Sequence, residues 1–362
     1  MSDEVFELQD FVVTAEEVVS QNIELLALRQ QALASINAIS SEDMSRFAAS
    51  DAADALKSVS GVSISGGKYA VVRGLDDRFS TTSLNGIVMP SPDPDRQAVP
   101  LDIFPSGLLD NVITQKSYTP DQPGESSGGA INLTTKAFPK EFFFKASLGR
   151  SYNDLSTSNK SFRLASKASF QPSPMRFSPV SDSPAPDSSL SAYAGNTFSV
   201  GSNNSLLGVI AGVTHKEKAK FSIATRNRYT IDGDDALVKS STEQELSVSE
   251  KLTSAILGLG LNLTDSSKLN YTAVFSSSEN AAGSFSFREE ESKDDDFYQV
   301  DAETMEREYL NHQITFDHVF DRVLFGANDA KLSLAGSYSK NSQLEPDSRI
   351  SGLLTEDSGT GV

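Results

Sequence analysis

The sequence predicts an α+β domain followed by long antiparallel strands of the transmembrane β-barrel kind. Three observations carry that prediction. Between residues 32 and 136, helical and strand-like spacings mix and are punctuated by tight-turn signals. After Lys136 the helical spacing largely disappears, and period-2 alternation takes over in about seven segments. The connections between those segments alternate between short turns and long polar stretches, as they do in outer-membrane barrels.

Composition bounds what else the chain can be. It has 362 residues and a formal net charge of −18, which argues against nucleic acid as a partner. Cysteine is absent, so there is no disulfide framework, thiol chemistry or zinc-thiolate site. His215, His312 and His318 form no metal-binding pair by spacing. No apolar run approaches the ~18 residues of a spanning helix, a test that barrel strands escape because each needs only about 10 alternating residues. The opening MSDEVFELQDF has neither a basic nor an apolar signal region, so an export signal is not in this chain.

In chain order, residues 1–15 form a short acidic and apolar patch whose DFVVT is β-prone and has no neighbour to pair with. Residues 16–31 space Val19, Ile23 and Leu26 on one helical face and read as a linker with helical character. Residues 32–40 read as a strand. Ser41 is expected to cap a helical turn ending near Phe47, and Ser50 a helix over 51–59. Residues 62–65 and 69–73 flank Gly66-Gly67 as a hairpin, and Asn85-Gly86 marks a second, since both central residues tolerate φ > 0. A proline-punctuated loop over 90–100, an apolar run over 101–112 and the alternating AINLTT complete a unit of domain size, 32–136.

The later strands are expected over 141–152, 188–200, 205–229, 247–264, 268–278, 306–320 and 331–340, each with apolar residues on alternate positions. Leu207, Val209, Ala211 and Val213 illustrate the face that would meet lipid. Residues 153–187, 231–245 and 279–303 are expected to be long polar loops.

Specific segments resemble TonB-dependent outer-membrane receptors, in order along the chain. DFVVTA (10–15) is similar to their energy-coupling box. DAADALKSVSGVSI (51–64), VVRGL (71–75), TSLNGI (82–87), PLDIFPSGLLDNVITQKSYTPDQPGE (100–125) and SGGAINLTTK (127–136) resemble their plug. Ser60-Gly61-Val62 stands where many such plugs have Pro-Gly-Val. The resemblance implies a plug domain over 32–136 and the N-terminal portion of a barrel over 137–362. A full barrel of this kind has about 22 strands, and about seven cannot close around a plug of this size. The chain is therefore expected to be the N-terminal part of a longer protein or a truncated gene product, with a split receptor completed by a second chain as the alternative, and its sheet after Lys136 is expected not to close by itself.

The resemblance further implies transport rather than catalysis, without a cofactor or metal: uptake of a scarce, bulky solute such as an iron–siderophore, cobalamin or an oligosaccharide across the outer membrane of a Gram-negative bacterium. A signalling or surface-binding receptor of the same fold is the alternative. Asp10, Phe11, Val12, Val13 and Thr14 would pair with the periplasmic TonB coupling complex by strand addition. Arg73 would lock the plug by meeting plug or barrel acids. Asp76, Asp77, Arg78, Asp93, Asp95 and Arg96 would sit on plug loops facing the ligand. Asp232, Asp234 and Asp235, and Asp294 to Asp296, lack the spacing of a calcium loop and are expected to be solvated.

Overall fold

The computed structural model describes residues 35–93, 96, 98–120, 122–124, 126–139, 141–157, 159, 161–164, 180–181, 184–200, 205–232, 235–264, 266–290, 295–320 and 330–356. The box-like segment 10–15 and the linker 16–31 lie outside them.

The first unit begins with β1 (Ile36–Ser40), α1 (Ser41–Arg46) and α2 (Ala52–Leu56). Both helices start one residue away from the expected cap. Ser40 caps α1 in a reciprocal box with Asp43, accepting from Asp43 N at 3.1 Å while its own amide donates to the Asp43 carboxylate at 3.3 Å. Asp51 caps α2 by accepting from Asp54 N at 2.9 Å. Ser50 instead donates its hydroxyl to Asp54 and Asp51, because a carboxylate is the stronger acceptor at the helix start.

The hairpin β2 (Val62–Ser65) and β3 (Tyr69–Val72) follows. Next come β4 (Ser80–Leu84) and β5 (Ile87–Val88), joined by Asn85 (φ 52°) and Gly86 (φ 81°). Both turn residues have left-handed φ, as the Asn-Gly pair predicts. The apolar run 101–112 is not one element: Pro105 breaks it into two 3₁₀ turns, Leu101–Ile103 and Ser106–Leu108, before β6 (Leu109–Gln115). With β7 (Gly129–Thr135) these strands make a five-stranded sheet, order β1-β6-β7-β4-β5, in which only β4 and β7 run parallel among the described pairs.

The second unit is a seven-stranded antiparallel sheet, order β16-β15-β14-β13-β12-β11-β8. Its strands are β8 (Phe143–Ser151), β11 (Asp187–Val200), β12 (Ser205–Asp232), β13 (Asp235–Thr264), β14 (Ser267–Glu290), β15 (Asp295–Phe320) and β16 (Ala330–Glu356). Between β8 and β11 lie α3 (Asp154–Thr157) and a two-stranded ribbon, β9 (Arg163–Leu164) with β10 (Val180–Ser181). β8 and β16 form the two edges of the described sheet, which is open as expected.

Two of the three expected long loops are corrected. Residues 231–245 and 279–303 are mostly paired strand, with connections of only 233–234 and 291–294. The ladder continues because backbone pairing does not depend on side-chain polarity. The hydrophobic alternation used to find strands stops where the wall leaves its apolar band. At 24 to 30 residues, β12 to β16 far exceed the ~10 residues that cross a bilayer.

The two faces of this wall differ. One packs on the first unit: the hydrophobic core of Leu56, Val72, Leu101, Phe104, Leu108 and Leu133 continues into Ile210, Leu252, Ile256, Val274 and Tyr309 of the wall. The other carries Phe144, Leu148, Leu190, Val213, Leu257, Phe275, Ile314 and Leu334, all exposed. Ordinary water-facing surfaces do not carry an apolar band this extensive. Beyond the band, Phe162 and Leu164 cover Ala219 and Phe221 of the same outward face.

Candidate functional site

The features that give the molecule a mechanism gather along the seam between the plug-like unit and the wall. Glycines set how closely the two approach. A side chain at Gly107 would overlap the Tyr193 ring, and one at Gly208 would overlap the Ala137 carbonyl. A Cβ on Gly212 would come within 2.6 Å of Leu108 Cδ1. On β12 these inward glycines alternate with the outward Leu207, Val209, Ala211 and Val213. The sequence LLGVIAGV thus encodes both the seat and the lipid face.

Among the described residues, three ion pairs cross the seam. Lys216 of β12 contacts Asp51, the cap of α2, with both side chains nearly buried. Lys68, after the Gly66-Gly67 turn, meets Glu250 of β13 at 3.3 Å. Arg307 of β15 meets Asp93 at 3.0 Å. Two neutral contacts add to them: Asn85 Nδ2 donates to Thr272 Oγ1 at 3.2 Å, and Asn341 Nδ2 donates to the Ser91 carbonyl at 2.7 Å. All of these partners are more than 150 residues apart, which is why no local motif marks them.

Asp93 is the most connected acid of the seam. It is buried, pairs with Arg307 and with Arg96 at 3.7 Å, and accepts from the Tyr69 hydroxyl at 3.5 Å. Arg96 also contacts Asp77 and lies 4.6 Å from the Tyr69 ring centre. Burial, reinforced by Asp93, pushes the Tyr69 hydroxyl up to about 12, so it stays a donor. Burial likewise raises Asp77, while Arg96 offsets part of that.

Beside this network is a cavity of about 40 Å³ with a mixed lining, the polar groups of Lys68, Asp102, Glu250 and Arg307 facing it together with Ile103 and Leu252. Its size and polar groups suit ordered water. Asp102 is partly buried, and its solvent-shielded Oδ1 has no partner among the described residues. Burial raises it to about 6; Lys68 and Lys216 lower it, while Asp51 and Glu250 raise it further.

The expected site residues distribute unevenly over this geometry. Arg73 has φ 56° and donates to the Lys116 carbonyl at 2.8 Å on an exposed surface of the plug. Among the described residues it meets no acid, so the ionic contacts with the wall fall to Lys216, Lys68 and Arg307 instead. Asp77 and Asp93, expected on ligand-facing loops, are buried and ion-paired, because each has an arginine close enough to offset desolvation. Asp76 and Arg78 are exposed and 3.7 Å apart, and Arg96 is partly exposed. Asp10 to Thr14 and Asp95 lie outside the described residues. So do Asp234 and Asp294 and the side chains of Asp232, Asp235, Asp295 and Asp296.

Comparisons with known proteins bear on this arrangement. Residues 29–131 match the family model described as the TonB-dependent receptor plug domain. No curated protein matches the sequence significantly. Among solved structures, the ferric enterobactin receptor of Pseudomonas aeruginosa is similar at 10% identity and a TM-score of 0.45, over 86% of this chain and 50% of its own. The outer-membrane transporter YddB of Escherichia coli gives 12% and 0.38, over 88% and 56%. The siderophore receptor PirA of Acinetobacter baumannii gives 10% and 0.38, over 87% and 55%. The chain thus spans about half the length of these structures. Residues 29–131 thus match the TonB-dependent receptor plug domain, and they are followed by a wall of antiparallel strands.

Proposed function

We propose that the protein works as a TonB-dependent receptor in the outer membrane of a Gram-negative bacterium, taking up a scarce, bulky solute when its plug rearranges. The observation that carries this reading is the seam. The plug is held on the wall by separable contacts, Asp51–Lys216, Lys68–Glu250 and Asp93–Arg307, around a small cavity. Charged contacts of this kind exchange with water more readily than a continuous apolar core does, so a pull on the plug can be answered by hydration rather than by unfolding the wall. The apolar outward band of β8 and β11 to β16 supports a lipid environment. Transport of this kind makes and breaks no covalent bond.

In this reading Asp10 to Thr14 supply the handle. A coupling protein adds them as a strand, main-chain hydrogen bonds carry the force, and Val12 and Val13 occupy alternate side-chain sites. Val12→Pro removes a backbone donor from that pairing. The full receptor carrying it is expected to lose energised uptake while keeping solute binding at the cell surface. Unimpaired uptake by the variant would contradict the role given to this segment.

A further inference from the structure

The inward face of β12 carries a row of cations with no counterpart on the plug. Alternation places Lys218, Lys220, Ser222, Ala224, Arg226 and Arg228 on the same face as Lys216, up to the register shift after Arg228. Lys216 is held by Asp51, whereas Lys218, Lys220, Arg226 and Arg228 are exposed and have no ion-pair partner among the described residues. Their neighbours across the ladder on β13 do not neutralise them. Opposite Lys220, Arg226 and Arg228 stand Val248, Thr242 and Ser240, and Glu250, opposite Lys218, is engaged by Lys68. One strand further on, Thr242 faces Arg288, a fifth cation on this surface. On the other side of β12, Asp187 of β11 lies on this face beside Lys218 and accepts from Ala219 N at 2.8 Å. For Lys220, Arg226 and Arg228, going across β13 and β14, the described inward acids at this height are Asp301 and Glu303 of β15, three strands from β12. That is about 14 Å, beyond the ~8 Å screening length of physiological salt.

The opposite face has the reverse sign. Glu217, Glu243, Glu245, Glu279 and Glu289 project outward beyond the apolar band, against Lys251. The chain as a whole has 49 acids to 31 lysines and arginines, so an unneutralised basic row runs against its composition. Like charges two residues apart on one face of a strand also repel. A row retained despite both costs, about 33 Å long and open to the lumen, has the form of an electrostatic guide.

We propose that this row is an anion track. The solute is one that carries several anionic oxygen groups, and β12 draws it along the wall toward the Lys216–Asp51 contact at the plug. The inference rests on the transport reading above, and it favours an acidic solute over a neutral oligosaccharide.

Single cysteines introduced into the full receptor, with any cysteine outside these 362 residues first replaced by Ser, give a direct test in intact cells. Ser222→Cys lies within the row, and Ile223→Cys lies at the same height on the outward face. Each is reacted with a sulfonate-bearing and a trimethylammonium-bearing methanethiosulfonate. Normalised to Ile223→Cys, the sulfonate is expected to react about 10-fold or more faster than the cation at Ser222→Cys. High salt should collapse that ratio toward one, as should replacing Lys218, Lys220, Arg226 and Arg228 by Gln. Equal rates, or a preference for the cation, overturn the anion track and leave the transport reading intact. If Ile223→Cys reacts while Ser222→Cys reacts with neither reagent, the water-filled lumen is itself wrong, and both readings fall.

Discussion

Asp102 shows how one side chain can tune the seam. Burial raises its carboxyl to about 6, against an ordinary value of 3.8. Between about pH 4 and pH 6 the seated plug therefore holds a proton that the unfolded chain has released. Stability from this group is greatest below that window, is lost as pH rises through it, and stays low above pH 6. A difference of about two units corresponds to roughly 3 kcal/mol when the carboxyl is ionised. Asp102→Asn cannot ionise and should remove this term. In urea titrations of the membrane-embedded receptor, the plug of the variant is expected to be more stable at pH 8 by on the order of 2–3 kcal/mol and flatter between pH 4 and 7. A wild-type plug that gains stability across that window would show that Asp102 is compensated by a partner.

At the scale of elements, the wall is a set of strands whose two faces do different work, and β12 states this most clearly. Gly212 meets Leu108 of the plug, whereas its neighbour Ala211 is exposed on the outward face. Gly212→Leu is expected to overpack the seat, costing about 1–3 kcal/mol and opening the plug to protease, while Ala211→Leu in the apolar band leaves it protected. The reverse order of sensitivity would mean that the faces have been assigned wrongly. Much of this layer was legible beforehand, because Asn85-Gly86 forces a turn locally and Leu207 to Val213 alternate within a few residues. The caps of α1 and α2 were legible to within one residue, since several acceptors compete at each helix start. The outer halves of β13 to β16 were not, because polar residues interrupt their apolar alternation and backbone pairing defines them. The seam itself was invisible for a third reason. Asp93 gives no sign in its own loop that Arg307 will sit against it, and Arg73, which matches a motif, finds its partner at Lys116 instead.

For the whole molecule, the plug in the transport reading is a unit latched to a wall that outlasts it. The plug's own strands pair among themselves from β1 to β7, and among the described residues side-chain and close glycine contacts join them to β11 through β16. Pulling tests that division directly. With the full receptor in outer-membrane vesicles and force applied through the residues before β1, the plug should unravel while the wall stays in the bilayer. Residues 35–136 span about 100 residues, so the released length is expected to be about 350 Å. In a variant joining Leu108→Cys to Gly212→Cys by a disulfide, release should stop near residue 108 and return to full length on reduction. Plug and wall strands coming out together in a single event, with a length well beyond that of the plug, would contradict the account.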